Sequence, residues 1–417
     1  MFEDSRAVPS SPAEEREGSH QVSRRRRPRR RRGRRGTGHE TPAVTTTGTG
    51  YLLCRDDGKS FLLPPPARFR HSADDPLVDP SLASRWHLES GLYVEGQLQT
   101  GNGRSRPTLV EISSIEGMPP DEYRTKAVPF AELTSIDPDQ RFCLETEPEI
   151  LEPRVIELMA PIGRGQRCLI VAPPKAGKTR LLQQLAHAIA VNHPETRIFV
   201  LLVDERPEEV TDWKRSIVKG EVHASSSDES VNNHIELSEM LLERARRLVE
   251  LGEDVVVFMD SLTRMSRAYN NNQKSSGRIM SGGIDARTME KPRRFFGSAR
   301  NAEHGGSLTI VATCLIDTGS RMDEGIFQEF KGTGNMEIVL TRDLFEKRIF
   351  PTMDLAQSGT RKEEKLYSKG DVEKIFLLRR ALASLSRPEA MQLLLSKLKQ
   401  FKTNADFLAN IQAGNGR

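Results

Sequence analysis

The chain has 417 residues, 29% of them charged, and a net charge of +4 from 62 lysines and arginines against 58 aspartates and glutamates. That length accommodates two or three domains and at least one sizeable core. Cys54, Cys143, Cys168 and Cys314 lie far apart without metal-ligand spacing or a disulfide framework, no apolar run approaches roughly 18 residues, and the polar start lacks a signal core, so a soluble cytoplasmic protein is expected, with no membrane partner.

Residues 1–47 are expected to be a disordered, arginine-rich tail. Ten arginines fall within Arg24–Arg35, broken by Pro28 and Gly33; removing them from a net charge of +4 leaves −6. Such a segment cannot build a core, but it can hold phosphates without reading bases. From residue 48 to 116 short apolar runs alternate with turns. Tyr51–Cys54, Lys59–Leu63, Leu92–Leu98 and Pro107–Ile112 read as strands of a small barrel. Barrels of this kind bind single strands through aromatics and a basic groove, and Phe61 is the candidate platform, with Tyr51 or Phe69 as helpers. Residues 117–150, with Pro119-Pro120 and an acidic stretch, read as a linker.

The large domain, 151–417, opens on chemistry. Cys168–Val171 is an apolar strand, Leu181–Ala190 is helix-like, and between them runs Val171-Ala-Pro-Pro-Lys-Ala-Gly-Lys-Thr179. Strand, tight loop and helix start together cradle nucleotide phosphates. Gly177 lets the backbone approach them, Lys178 reaches the outer phosphates, and Thr179 places its hydroxyl on the accompanying magnesium. Ala172 stands where the pattern usually has its first glycine. Two further apolar strands end in acids: Ile198–Val203 runs into Asp204-Glu205, and Val255–Met259 into Asp260. Carboxylates at strand ends project toward the ligand crevice of an open α/β sheet. Asp260 is assigned to the magnesium shell and Glu205 to the attacking water; the bland alternative is that both merely cap strands.

A fourth apolar run, Leu308–Thr313, leads to the polar loop Asp317–Asp323. A long polar segment, Asn270–Gly283, carries Lys274 and Arg278 among glycines and serines. Ser225–Ser230 reads as a flexible loop, and 237–251 as a helix with apolar residues every three or four positions. Arg342, Lys347, Arg348 and Arg361 form a late group of cations, suited to phosphoanhydride hydrolysis or to ordinary surface. The apolar flank of Arg348 (Ile349, Phe350, Pro351) points to a packed interface.

The chain resembles the bacterial transcription termination factor Rho family. The matching segments are Pro161–Gln166 with the phosphate loop, Asp204–Val210, Asp260–Asn270, Ser281–Asp285, Ile316–Ser320, Phe330–Glu337 and Ser358–Glu364, in family order. The resemblance implies a RecA-like P-loop ATPase domain preceded by an OB/cold-shock-like RNA-binding barrel, in a homohexameric ring. The implied activity is that of an RNA-dependent ATPase and 5′-to-3′ RNA:DNA helicase that terminates transcription. Its cofactors would be ATP and Mg. Its partners would be single-stranded nascent RNA, the RNA polymerase elongation complex and a transcription elongation factor.

The resemblance also implies residue roles. Nucleotide contacts would run from Lys175 and Ala176 through Gly177, Lys178 and Thr179 to Arg180, with Arg206 at the same site and Phe350 stacking on adenine. Arg361 would be an arginine finger contributed to the neighbouring subunit, Arg348 a second interface arginine, and Arg264 and Arg267 would couple neighbouring sites. Arg278, Gly282 and Gly283 would belong to a first RNA-gripping loop, and Thr318, Gly319, Ser320 and Arg321 to a second. One departure concerns the barrel: its signature of two aromatics appears as Gly58-Lys-Ser-Phe61, with one ring missing. Two other functions compete, a ring ATPase acting on DNA or protein and an RNA-binding regulator with a vestigial ATPase.

Overall fold

A computed structural model describes residues 44–65, 69–100, 106–272, 281–285 and 287–411; the arginine block and Arg278 lie outside them. Strands β1 (Val44–Cys54), β2 (Ser60–Leu63), β3 (Leu77–Val78), β4 (Tyr93–Thr100) and β5 (Thr108–Ile115) close a barrel in the order β1-β2-β3-β5-β4. The long β1 makes closure possible, because its length pairs with β4 from Val44↔Thr100 to Tyr51↔Tyr93 while its end pairs with β2. Gly96 in β4 lies so close to β5 that a Cβ there would sit 2.0 Å from the Glu111 carbonyl oxygen. Leu52, Leu62, Leu92, Val94, Leu109 and Ile115 fill the interior.

The barrel corrects one expectation. β1 starts at Val44, inside the segment read as tail, because the β-branched run Val44-Thr-Thr-Thr47 favours a strand despite its polar, glycine-flanked composition. The barrel also carries a helix, Pro80–Trp86; Asp79 caps it by accepting from the Ser81 N–H at 2.8 Å, with proline at its first position.

The stretch read as a linker is built into the large domain. It holds a helix, Pro120–Lys126, and the short strand β6 (Ser135–Ile136), and it buries Phe130, Phe142 and Leu144. Its apolar residues are too widely spaced to show a period, and only tertiary packing brings them to the core.

The large domain is an open sheet of β7 (Arg167–Ala172), β8 (Arg197–Glu205), β9 (Glu221–Ser226), β10 (Asp254–Asp260), β11 (Arg300–Ala302), β12 (Ser307–Leu315), β13 (Met336–Val339) and β14 (Gly359–Thr360). Its main order is β14-β13-β7-β12-β10-β8-β9, with β11 bridging β12 to β6. All neighbours from β13 to β9 are parallel, and β14 adds an antiparallel edge. Side-chain alternation sends Ile198, Val200 and Leu202 to one core and Phe199, Leu201 and Val203 to the other. Both faces are thus covered, which explains the unbroken apolar runs; each such side chain contributes about 1.5–3 kcal/mol through burial.

The Ser225–Ser230 segment is not a loose loop. Ser225 and Ser226 complete β9, and Ser230 caps the helix Val231–Glu250. Among the described residues no helix is long and apolar enough to cross a membrane.

Candidate nucleotide site and nucleic-acid surfaces

β7 delivers the chain to a turn in which Lys175 and Gly177 both have positive φ, 63° and 86°. At Gly177 only a residue free of the Cβ penalty is comfortable. The helix Lys178–Asn192 then begins with no side chain capping its first N–H groups, which leaves them to the loop. The Thr352 hydroxyl donates to the carbonyl of buried Ala176 at 2.6 Å and fixes the turn from beneath. Ala172 is still in register with Leu315 of β12, so no glycine is needed there.

Glu205 and Asp260 end neighbouring parallel strands, and both are 1% exposed. The Lys178 ammonium donates to Asp260 Oδ2 at 2.5 Å and lies 3.5 Å from Glu205 Oε1. The Thr313 hydroxyl donates to Asp260 Oδ1 at 2.7 Å, and Arg264 Nε lies 3.2 Å from Glu205 Oε1. Burial and the nearby Asp260 carboxylate push the Glu205 carboxyl up to about 7, against the pull of Lys178 and Arg264. Burial alone would depress the Lys178 ammonium, yet Asp260 and Glu205 outweigh it and hold it above its ordinary value.

Carboxylate oxygens of Glu205, Glu209 and Asp260 lie within 4.8 Å of one another, and Thr179 Oγ1 is 3.4 Å from Glu209 Oε2. An all-oxygen set beside a phosphate loop fits a hard divalent cation such as Mg²⁺. Glu209 and Thr313 escaped the sequence reading. Pro207 opens a helix directly after Glu205, which was a usable signal for Glu209 at the following turn. Thr313 depends on β12 lying beside β10, which sequence does not reveal.

Phe350 is half-buried beside the loop helix. The Arg180 guanidinium lies 5.2 Å from its ring centre, and Phe345 meets it edge-on at 5.8 Å. Arg348 is exposed, with its guanidinium 5.5 Å from the Phe345 ring. Arg206 is exposed at the start of the helix Pro207–Ser216, next in sequence to Glu205.

Arg361 is not part of this group. Its N–H donates to the Asn335 carbonyl at 2.8 Å, and the preceding Thr360 pairs with Met336, itself opposite Cys168 near the start of β7. The exposed Arg361 therefore sits at the other end of the sheet from its own phosphate loop. Arg264 binds its own chain's Glu205, and Arg267 forms a fork on Asp323 at 2.8 and 2.5 Å.

The two loops expected to grip RNA meet. Gly282 approaches the helix Arg321–Lys331 so closely that a Cβ would stand 2.4 Å from the Arg321 carbonyl oxygen. Arg321 is the first residue of that helix rather than a loop residue, with Ser320 as its cap. Thr318 donates to Asp323 Oδ2 at 2.6 Å; Gly283 and Gly319, both at positive φ, face open space.

In the barrel, Phe61 is 4% exposed. Its ring is covered by His71 at 4.1 Å, with the guanidinium groups of Arg55 and Arg106 at 5.3 and 5.9 Å. Phe69 is buried in the core of the large domain, with Tyr51 packed edge-on against it, so neither helper stands free beside Phe61.

Fold and site together define a RecA-like nucleotide-binding ATPase carrying a nucleic-acid-binding barrel. Residues 153–360 match the ATP synthase alpha/beta family, nucleotide-binding domain, and residues 48–121 match the Rho termination factor, RNA-binding domain. The chain is 48% identical to transcription termination factor Rho of Cereibacter sphaeroides over 373 residues, covering 88% of each. It is likewise 48% identical to that of Aquifex aeolicus, covering 87% of this chain and 84% of the relative. The chain belongs to the transcription termination factor Rho family. Among solved structures, a type III secretion system ATPase shares the fold at a TM-score of 0.53 and 22% identity, covering 70% of this chain and 79% of its own. An ATP synthase subunit, NeqB of Nanoarcheaum equitans, does so at 0.53 and 20%, covering 66% and 73%.

Proposed function

We propose that the chain is an ATP-driven RNA translocase and RNA:DNA helicase that binds nascent transcripts and terminates transcription by dissociating the elongation complex. The observation that carries this reading is the cluster of Lys178, Glu205 and Asp260 beyond the carboxyl ends of β7, β8 and β10, beside an uncapped helix start. Lys178 and the loop N–H groups hold the outer phosphates. Glu205 orients water for attack on the terminal phosphorus and accepts its proton as the bond to the bridging oxygen breaks. Thr179 and Asp260, with Glu209 beside them, would hold Mg²⁺, which when bound neutralises charge on the phosphate oxygens. Phe350 and Arg180 receive the base.

Arg361 gives the reason for a ring. It is too far around the sheet to serve its own nucleotide, so it acts on a neighbour's, and a homohexamer supplies one at every interface. The meeting loops around Gly282 and Thr318–Arg321 line the central passage for RNA, while the barrel takes up single-stranded RNA at Phe61. The RNA polymerase elongation complex, joined by an elongation factor, is the macromolecular target. A barrel that starts at Val44 and a motor that takes in residues 117–150 serve this division of labour.

The test is steady-state ATP hydrolysis without polymer, with cytosine-rich RNA, and with the same sequence as DNA, alongside Glu205→Ala. Stimulation by RNA alone, lost in the variant, supports the reading. An assembled hexamer without RNA stimulation overturns it in favour of a regulatory binding role.

A further inference from the structure

One segment of the barrel reaches into the motor. Phe69, 1% exposed, stacks on His223 of β9 with ring centres 4.4 Å apart and planes 10° apart. The next residue, Arg70, donates through Nη2 to the Ala224 carbonyl at 2.8 Å and to Glu229 Oε1 at 2.9 Å, and its Nη1 pairs with Glu229 Oε2. The residue after that, His71, is the one that lies on Phe61 and also meets Asp75 Oδ2 at 3.2 Å. Three consecutive side chains thus touch the motor core, a motor turn and the base platform.

The turn that Arg70 holds is the one beside Glu205. Glu229 accepts from the Ser226 N–H at 3.3 Å and from Asn233 Nδ2 at 3.1 Å. Ser226 pairs with Glu205 across an irregularity in the β8–β9 ladder, and the Ser227 N–H donates to the Glu205 carbonyl at 2.9 Å. Burial would raise the Glu229 carboxyl, yet the bonds from Arg70 and Asn233 hold it below its ordinary value, so it stays a charged acceptor.

We infer that Arg70 is a positioning residue for ATP hydrolysis: its fork on Glu229 and Ala224 ties the loop covering the base platform to the turn that sets the main chain of Glu205. This rests on the reading of Glu205 as the group that handles the attacking water. A base stacking on Phe61 must compete with the His71 ring, and any shift of His71 moves the adjacent Arg70. Occupancy of the barrel then reaches Glu205 through three hydrogen-bonded links, Arg70 to Glu229, Ser226 to Glu229 and Ser227 to Glu205. An arginine is needed because its planar fork serves a carboxylate and a carbonyl at once, which a lysine cannot do with the same geometry.

The experiment uses the full chain with Arg70→Ala, Arg70→Lys, Glu229→Gln, the Arg70→Ala/Glu229→Gln double variant and Glu205→Gln. Affinity for a cytosine-rich RNA oligonucleotide, ATPase with and without saturating RNA, and the thermal midpoint are measured for each. The expected result for Arg70→Ala is RNA affinity and KM for ATP within about twofold of the parent, with RNA-stimulated kcat reduced about tenfold, since small misplacements of a reacting group are costly. Arg70→Lys should recover part of that loss, and the double variant should be no worse than either single one. Glu229→Gln carries the same test should Arg70→Ala fail to fold. RNA-stimulated kcat within twofold of the parent in Arg70→Ala, with Glu205→Gln inactive, overturns the inference alone. Full activity in Glu205→Gln overturns the catalytic reading and the inference with it. A kcat loss that only mirrors weaker RNA binding or a lower thermal midpoint makes Arg70 a structural tie and also overturns it.

Discussion

The Lys178 ammonium sits 2.5 Å from Asp260 Oδ2, although Lys178 opens the helix that follows β7 and Asp260 ends β10, with β12 between the two strands. The lysine therefore lies between the phosphate loop and the strand-end acids Asp260 and Glu205. Removing it has two separable effects. Lys178→Ala should cut ATP hydrolysis by at least about 100-fold, the usual cost of losing a preorganised group that stabilises developing charge. It should also lower stability by about 1–3 kcal/mol, because the buried Asp260 side chain loses its hydrogen-bonded partner. Denaturant unfolding of Lys178→Met/Asp260→Asn checks the second effect: stability should return toward the parent while activity stays lost.

Glu205 makes the stability of the nucleotide-free, metal-free protein fall as pH rises. Its carboxyl is held up at about 7, above the ordinary 4.5, so the native state favours the proton. The stabilising contribution is fully present below the ordinary value and is lost as pH climbs through about 7. Glu205→Gln removes that dependence. In EDTA without nucleotide the variant should gain stability over the parent between pH 5 and pH 8, by at most about 3 kcal/mol at roughly 1.4 kcal/mol per unit. Thermal melts across that range check it, and an unchanged difference at all pH values counts against the perturbed carboxyl.

Arg361 and Lys178 should complement each other between subunits. Each of Arg361→Ala and Lys178→Ala is expected to be inactive alone, the first with ATP binding near normal. In mixed rings some interfaces combine an intact phosphate loop from one subunit with an intact Arg361 from the next. Mixing the two inactive proteins under exchange conditions should restore a measurable fraction of RNA-stimulated hydrolysis. A finger contributed within its own chain would give no recovery.

The sequence exposes the chemistry of this molecule better than its joints. Phosphate loop, strand-end acids and apolar strands are local patterns, and Lys178, Glu205 and Asp260 come together because parallel strands bring their carboxyl ends to one edge. Glu209 and Thr313 complete the same cluster through a helix start and a strand order, of which only the first is written locally. The join between barrel and motor was the least legible. Residues 117–150 read as a linker because Phe130, Phe142 and Leu144 are isolated in sequence and find their partners far along the chain. Arg70 and Phe69 lie in a proline-flanked stretch with no period at all, and their meaning comes from β9 and the turn at Ser226–Ser230.

The barrel's single platform ring leads to a prediction with opposite signs at two neighbouring residues. Phe61 is covered by His71, so the free protein already uses the face that a base would take. Phe61→Ala should weaken binding of a short single-stranded RNA by about 1–3 kcal/mol, the usual worth of one stacked base. His71→Ala uncovers the ring without removing it and should tighten binding, because the base no longer displaces a packed side chain. Arg55 and Arg106 flank the same ring and meet phosphates or base faces as cations. Replacing either with alanine should lower the slope of log affinity against log salt by about 0.7 per lost phosphate contact. Anisotropy titrations of a cytosine-rich oligonucleotide at several salt concentrations separate the three effects. If Phe61→Ala and His71→Ala weaken binding equally, the two rings form one platform and the covering role of His71 is wrong. If neither changes affinity, the RNA enters the barrel elsewhere and Phe61 is a core residue.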